Sequence, residues 1–584
     1  MPGTKFVTAT GDVYVDGLLS GRGWNTGTLT FSFPSSASFY GSGYGSGEPA
    51  NGFEAFNATQ QSAVRGILGH YAGIINLAFH EVTETSVTHG DLRFAESDAP
   101  STAWGYYPSG DAEGGDSWYN SSGGDYDNPV LGTYAYLTLL HEIGHALGLK
   151  HPHEAGFYGA VPADRDSLEY SVMSYRSYID SPLDYYRNGY SSFPQSLMML
   201  DIAALQQIYG ANYNTNADDT VYRWSPATGQ MYVDDVGQGL PAGNKVFLTV
   251  WDGGGRDTYD FSAYGNALKV DLDPGAWSTI SSSQLASLGN GRVAAGNIAN
   301  ALLYKGITAS LIEDVIGGNG NDTIAGNGAD NTLAGGPGND VLSGRGGDDT
   351  AVFSGDADRY EITLNGNGTW TISDLRDGSP DGTDTLSQIE YFMFRDTVID
   401  GDAAAEKATT TGLPPDVVAA TANHEPVARK DVFFARKGTE LNVAVENGVL
   451  ANDSDEDGDA LTAAIHRDPR KGKVDLDADG SFVFKVGKKF TGKVKFKYAA
   501  SDGETVDKAK VVVKVLKRGD YDDILDAGGL TASLDSHGLD SIPAPVPVAG
   551  NACFDPFRDG SDHTLRGFDH DWLSGTGHVY DLYV

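Results

Sequence analysis

HEIGHALGLKHP, residues 141–152, carries three histidines at spacings of four and six, with a glutamate beside the first. The stretch that contains its first half, LGTYAYLTLLHEIGHALG (131–148), has the apolar periodicity of a helix. Positions i and i+4 of a helix share a face, so His141 and His145 offer two imidazoles to one ion. Gly148 ends the helix, since glycine accepts the left-handed backbone of a sharp turn, and that turn returns His151 as a third ligand. Three neutral imidazoles with a position left open make the donor set of a catalytic zinc site rather than a closed structural one. Glu142 points to the open side, where it is the natural general base toward a water acidified by the metal.

Around this stretch, residues 27–212 read as mixed α and β. LTFSFP (29–34), LAFHEV (77–82), DLRFAE (91–96) and TAWGYYP (102–108) read as strands. NATQQSAVRGILGHYAGIINLAF (57–79) reads as a helix, with Asn57 as N-cap and Gln60 completing a capping box. SLMMLDIAALQQIYG (196–210) reads as a further helix, ended by Gly210. His70, His80, His89 and His153 are read as ordinary core or surface residues.

Beyond 212 the character changes. At 317 a nine-residue repeat begins: GGNGNDTIA, GNGADNTLA, GGPGNDVLS, GRGGDDTAV. This pattern belongs to calcium-binding parallel β structure, six residues turning and three forming a strand. Two repeats make one coil, so Asp322 is expected over Asp340, and Asn331 over Asp349. Their side chains, with the turn residues Gly317, Asn319 and Gly335, would supply the six to eight oxygens that calcium takes. Ala329 and Asn331 depart from the pattern, so that layer is expected to bind more weakly.

HEIGHALGLKH resembles the extended zinc motif of the metzincin metalloproteases. The downstream SVMSY is similar to their Met-turn, which puts Met173 beneath the metal. In the serralysin branch a tyrosine two residues further on is a displaceable zinc ligand that also supports the oxyanion; Tyr175 stands there. TAWGYYP is similar to the edge strand on which such enzymes pair extended substrates, and LDIAALQQIYGAN (200–212) to their closing helix. The same resemblance maps calcium ligands onto Asn216, Asp218 and Thr220, onto Asp252, Gly254, Gly255 and Asp257, and onto Glu313. It implies one catalytic zinc, several structural calcium ions, and protein or peptide substrates. The propeptide cysteine with which other metzincins block zinc has no counterpart, since the one cysteine is Cys553.

The bulk composition agrees. Acidic residues number 79 against 40 basic, a net charge of −39, which argues against nucleic acid as a partner. A single cysteine excludes an intramolecular disulfide framework, so a secreted chain would need another staple, for which calcium is a candidate. No apolar run approaches a membrane span, and MPGTKFVTATGDVYVDG lacks the apolar core of an export signal. The closing DLYV (581–584) is similar to the C-terminal signal read by a type I (ABC) secretion apparatus, which implies an extracellular protein.

Residues 425–517 read as a small added all-β domain, and NGVLANDSDEDGDALTAAI (447–465) within it resembles the Ig-like or cadherin-like modules of bacterial surface and secreted proteins. Along GKVKFKYAASDG, Val494, Phe496 and Tyr498 face in while Lys493, Lys495 and Lys497 face out. The expected architecture is thus multidomain α+β: a mixed sheet with long helices, then a parallel β-roll, then an Ig-like sandwich. Its segments are a short irregular leader (1–25), a metzincin protease domain (26–212), the roll domain (213–400), a linker (401–424), the β domain (425–517) and a secretion-signal region (518–584). A monomer is expected. The alternative reading is a calcium-dependent adhesin, with the added domain binding a surface ligand and the protease domain secondary or inactive; a third is a cytosolic enzyme, against which calcium-dependent folding would tell.

Overall fold

The computed structural model describes residues 2–401 and 426–517, apart from 446–447, 456–459 and 504. The expectations for the linker beyond residue 401 and for the region 518–584, including Cys553 and DLYV, lie outside the described residues. The described residues fall in two compact units, one on either side of that linker.

Four α-helices occur among the described residues of the first unit: α1 (Val13–Asp16), α2 (Ala58–Ile74), α3 (Tyr134–Ala146) and α4 (Met199–Tyr209). The capping box of α2 forms as expected, with Asn57 accepting from the backbone of Thr59 and Gln60 and Gln60 answering the backbone of Asn57. Beside the helices lies a six-stranded sheet. Its order is Ala78–Glu81, Thr28–Ser32, Leu92–Ser97, Ser117–Asn120 and Ala103–Gly105, with Glu54–Ala55 paired to Leu92–Ser97. Ala103–Gly105, the core of TAWGYYP, is the edge strand and runs antiparallel to its neighbour. Ser117–Asn120 had no clear sequence signal, because its four residues, SWYN, are too short to show a period.

Residues 1–25, read as an irregular leader, instead carry two short strands and α1. Leu18, Leu19 and Trp24 are fully buried. The Lys150 N–H donates to the Leu18 carbonyl at 2.8 Å, and the Trp24 indole donates to the Ala146 carbonyl at 2.9 Å. This segment therefore buttresses the turn that follows α3. Its apolar residues are spent on contacts too far along the chain for local periodicity to reveal.

Further on, short strands alternate between two sheets, as a nine-residue period demands. Thr323–Ala325 pairs in parallel with Val341–Ser343, and Thr332–Ala334 with Thr350–Val352. Ile324, Leu333, Leu342 and Ala351 point inward and are buried. The coil continues beyond the repeats, through Thr383–Ser387 and Tyr391–Met393. The core around the helices reaches past residue 212, taking in Phe247, Trp251, Leu288 and Ala299.

The second unit has two sheets. One has the order Asp431–Arg436, Val506–Leu516, Gly492–Ser501, Thr462–Arg467, and the other Leu441–Val443, Phe482–Lys485, Lys473–Leu476. Their inner faces share one core, which includes Val494, Phe496, Tyr498, Val511, Phe482 and Phe484, while Lys493, Lys495 and Lys497 are exposed. No helix of the described residues is long and apolar enough to cross a membrane.

Candidate metal centre

α3 is capped by Thr133 and buried along nearly its whole length. Gly148 follows with φ +106°, so the chain reverses and His151 returns to the helix. Nε2 of His151 lies 3.1 Å from Nε2 of His141 and 3.0 Å from Nε2 of His145. Each opposite nitrogen faces an acceptor: the Val172 carbonyl at 2.9 Å from His141, the Leu149 carbonyl at 2.8 Å from His145, and Oε1 of Glu154 at 3.0 Å from His151. A carbonyl or carboxylate only accepts, so Nδ1 carries the proton on all three rings. Three Nε2 lone pairs then converge with no hydrogen between them, an arrangement satisfied by a cation. Burial lowers all three pKa values, His141 to about 3, which keeps the rings neutral and fit to ligate.

Val172 belongs to the SVMSY turn. Met173 is fully buried against α3, and a Cβ placed on Gly144 would stand 2.6 Å from its sulfur. The Tyr175 ring stacks on His141 (5.7 Å between centroids, 20°) and lies 4.4 Å from the His151 ring. The sequence reading missed what anchors this turn. Asp201 of α4, fully buried, accepts from Ser171 Oγ at 2.6 Å, from the Val172 N–H at 2.8 Å and from the Met198 N–H at 2.9 Å. Its signal was the aspartate three residues into α4, where a carboxylate caps a helix start. Glu154 was also missed; its place three residues after His151 was the available clue.

Glu142 is buried, and its Oε2 has no hydrogen-bond partner among the described residues. Burial pushes its carboxyl up to about 8, against the pull of the Gly105 N–H. Gly105 is the last residue of the edge strand, and a Cβ there would meet the Glu142 carbonyl at 2.5 Å. The absence of a side chain thus lets the strand lie directly along α3. A small cavity beside Glu142 is lined by Thr102, Tyr134, Leu137, Thr138, His141 and Tyr186.

The residues expected to hold calcium also come together. Ahead of the roll, the Thr220 N–H donates to Asp257 Oδ1 (2.9 Å), the Asp257 N–H to Glu313 Oε2 (2.9 Å) and the Gly254 N–H to Asp252 Oδ1 (2.7 Å). The Thr220 hydroxyl reaches the carbonyls of Asp218 and Asn216, and Gly255 lies against the Asp218 carbonyl. In the roll, the Asp322 N–H donates to Asp340 Oδ1 and the Asn331 N–H to Asp349 Oδ1, each at 2.7 Å. Glycine is required at Gly317 and Gly335, where a Cβ would stand 2.2 Å from the Gly335 carbonyl and 2.1 Å from Asp340 Oδ2. Asn319 is held by its N–H to the Tyr264 carbonyl at 2.8 Å. Three buried oxygens, Asp257 Oδ2, Asp340 Oδ2 and Asp349 Oδ2, lack a hydrogen-bond partner among the described residues. Orphaned carboxylate oxygens of this kind fit an oxygen-seeking cation. Two ladder members escaped the repeat pattern: the Asp340 N–H donates to Asp384, and the Asp349 N–H to Glu390, each at 2.8 Å. Only the D-x-L fragment of GTDTL announced the first.

Comparisons with known proteins agree with this picture. The family described as "Peptidase M10 serralysin C terminal" matches residues 211–391, and "Bacterial cadherin-like domain" matches residues 423–517. The chain is similar to Metallopeptidase AprA of Pseudomonas marginalis, 33% identical over 317 residues, 52% of this chain and 61% of that protein. It is also similar to Serralysin C of Dickeya chrysanthemi, 35% identical over 310 residues, 51% of this chain and 58% of that protein. The chain thus spans about three-fifths of the length of these relatives. Among solved structures, an endo-fucoidan hydrolase of glycoside hydrolase family 107 covers 27% of this chain and 22% of its own at 12% identity, with a TM-score of 0.15, too slight to bear on fold or function. The resemblance to serralysins read from the motifs is thus shown by sequence similarity as well.

Proposed function

We propose that the chain is a secreted zinc-dependent endopeptidase of the serralysin kind, with a metzincin protease domain at residues 26–212 and a fold that depends on calcium. The observation that carries this reading is the convergence of three Nε2 lone pairs beside a buried, half-unpartnered Glu142 and an open sheet edge. His141, His145 and His151 would hold zinc, with Tyr175 as a further, displaceable ligand. The ion supplies Lewis acidity toward a carbonyl and a water.

The remaining work belongs to the chain. Ala103–Gly105 lies at an edge of the sheet, where an extended peptide adds as a strand. Glu142 Oε2 takes the proton of the attacking water and delivers it to the departing amine nitrogen. The Tyr175 phenol donates toward the oxygen that gains charge. Asp201, through Val172, and Glu154 fix the orientation of His141 and His151.

Calcium would be held by Asp252, Asp257, Glu313 and the carbonyls of Asn216, Asp218 and Thr220, and in the roll by Asp322, Asp340, Asn331 and Asp349. Scarce calcium in the cytosol keeps such a roll unfolded for type I export, and its abundance outside completes the fold. The cadherin-like unit, with its exposed lysine face, adds a surface-binding role beside catalysis. The test is hydrolysis of casein by protein refolded in calcium. Activity should require about one equivalent of zinc, vanish with a zinc chelator and return with zinc. A folded protein that binds zinc and cleaves nothing would give the lead to the adhesin reading.

A further inference from the structure

A second group of donors adjoins the three histidines. His151, His153 and Glu154 each place a ligating atom within 4.8 Å of the others. Nδ1 of His153 is buried and has no hydrogen-bond partner among the described residues. Its ring lies parallel to that of His151 (5.4 Å, 16°) and 5.2 Å from that of Tyr175. Glu154 turns Oε1 to His151, which leaves Oε2, and its side chain is 18% exposed, so the group is open to ions from solvent. Neither the general base nor the substrate-pairing edge uses His153.

We propose that His153 and Glu154 form a second transition-metal site beside the first, filled only when zinc is in excess, and that filling it restrains the enzyme. This rests on the reading that the three histidines hold one zinc. An imidazole nitrogen with a carboxylate suits zinc and its neighbours, and does not suit calcium, which takes oxygen alone. The calcium that fills the roll therefore leaves this site to other ions. The site is weaker than the first for two reasons. It has fewer imidazoles of its own, and the Lys150 ammonium lies close by, donating to the Glu154 carbonyl at 2.6 Å and to that of His151 at 3.2 Å. An ion held here draws Glu154 from His151 and fixes His153 against Tyr175, the ring that must move during turnover. Loss of a carboxylate that orients a metal-bound histidine lowers affinity or activity by about 10–100-fold.

The experiment uses the full chain in saturating calcium, with zinc raised from one equivalent to a large excess. Bound zinc is read by equilibrium dialysis and elemental analysis, beside casein hydrolysis. The parent should bind a second zinc ion and lose activity about tenfold as it does so. His153→Ala and His153→Gln should bind one ion, keep the basal rate and resist the excess; the glutamine variant guards against a folding defect in the alanine one. Saturation of the parent at one ion, or a second ion retained by both variants, would overturn the proposal. His145→Ala removes a ligand of the first site alone. If the tightly bound ion survives that change, it is the zinc reading of the three histidines that fails.

Discussion

The Asp201 carboxylate accepts the Val172 N–H at 2.8 Å, and the Val172 carbonyl in turn accepts from Nδ1 of His141 at 2.9 Å. A residue on the closing helix thereby sets the tautomer and tilt of a histidine on another helix. Asp201→Ala would strand the N–H groups of Val172 and Met198 in the core. It should destabilise the unit by about 2–4 kcal/mol and weaken zinc binding about 10–100-fold. Thermal unfolding and zinc competition with a chromophoric chelator measure the two effects.

Gly148 stands at φ +106°, and a Cβ there would lie 2.3 Å from the Arg22 carbonyl. Gly148→Ala should therefore cost about 2 kcal/mol or more. It should weaken zinc binding as well, since His151 reaches the site only through this turn. Equal zinc affinity in a stably folded variant would contradict this role for the turn.

Nε2 of His70 accepts the Leu197 N–H at 3.3 Å, just ahead of α4, and burial lowers the His70 pKa from 6.5 to about 4. Between those values the unfolded chain binds more protons than the folded one, so stability is full above pH 6.5 and is lost as the pH falls toward 4. His70→Gln keeps an acceptor without a titrating group. Its melting temperature should therefore fall less steeply with acid than the parent's.

Asp340 Oδ2 is a buried oxygen without a hydrogen-bond partner, so Asp340→Asn removes charge where calcium would sit. The calcium concentration needed for refolding should rise on the order of tenfold. Chelation of calcium in the parent should erase the β signal of the roll in circular dichroism. A roll that stays folded without calcium would contradict the dependence.

What the sequence disclosed follows the range of the interactions involved. The cap at Asn57, the stop at Gly148 and the phase of Ile324, Leu333 and Leu342 are local, so spacing alone revealed them. The pairing of His141 with His145 is local too, and His151 follows from one glycine. Asp201 and Glu154 act through backbone or ring nitrogens brought near by folding, which no period records. Residues 1–25 escaped for the same reason, because Leu18 and Trp24 find their partners at Lys150 and Ala146. Asp384 escaped because its coil is closed by a long hairpin instead of a nine-residue repeat.

The most direct test of the central claim compares casein hydrolysis by the parent and by Glu142→Gln, each folded in calcium and loaded with one zinc. The expected result is equal zinc content and equal melting temperature, with turnover in the variant lowered by about 100-fold or more. A zinc-loaded, folded variant that cleaves at the parent's rate would contradict the role of Glu142, and with it the reading of HEIGHALGLKHP as a working hydrolytic centre.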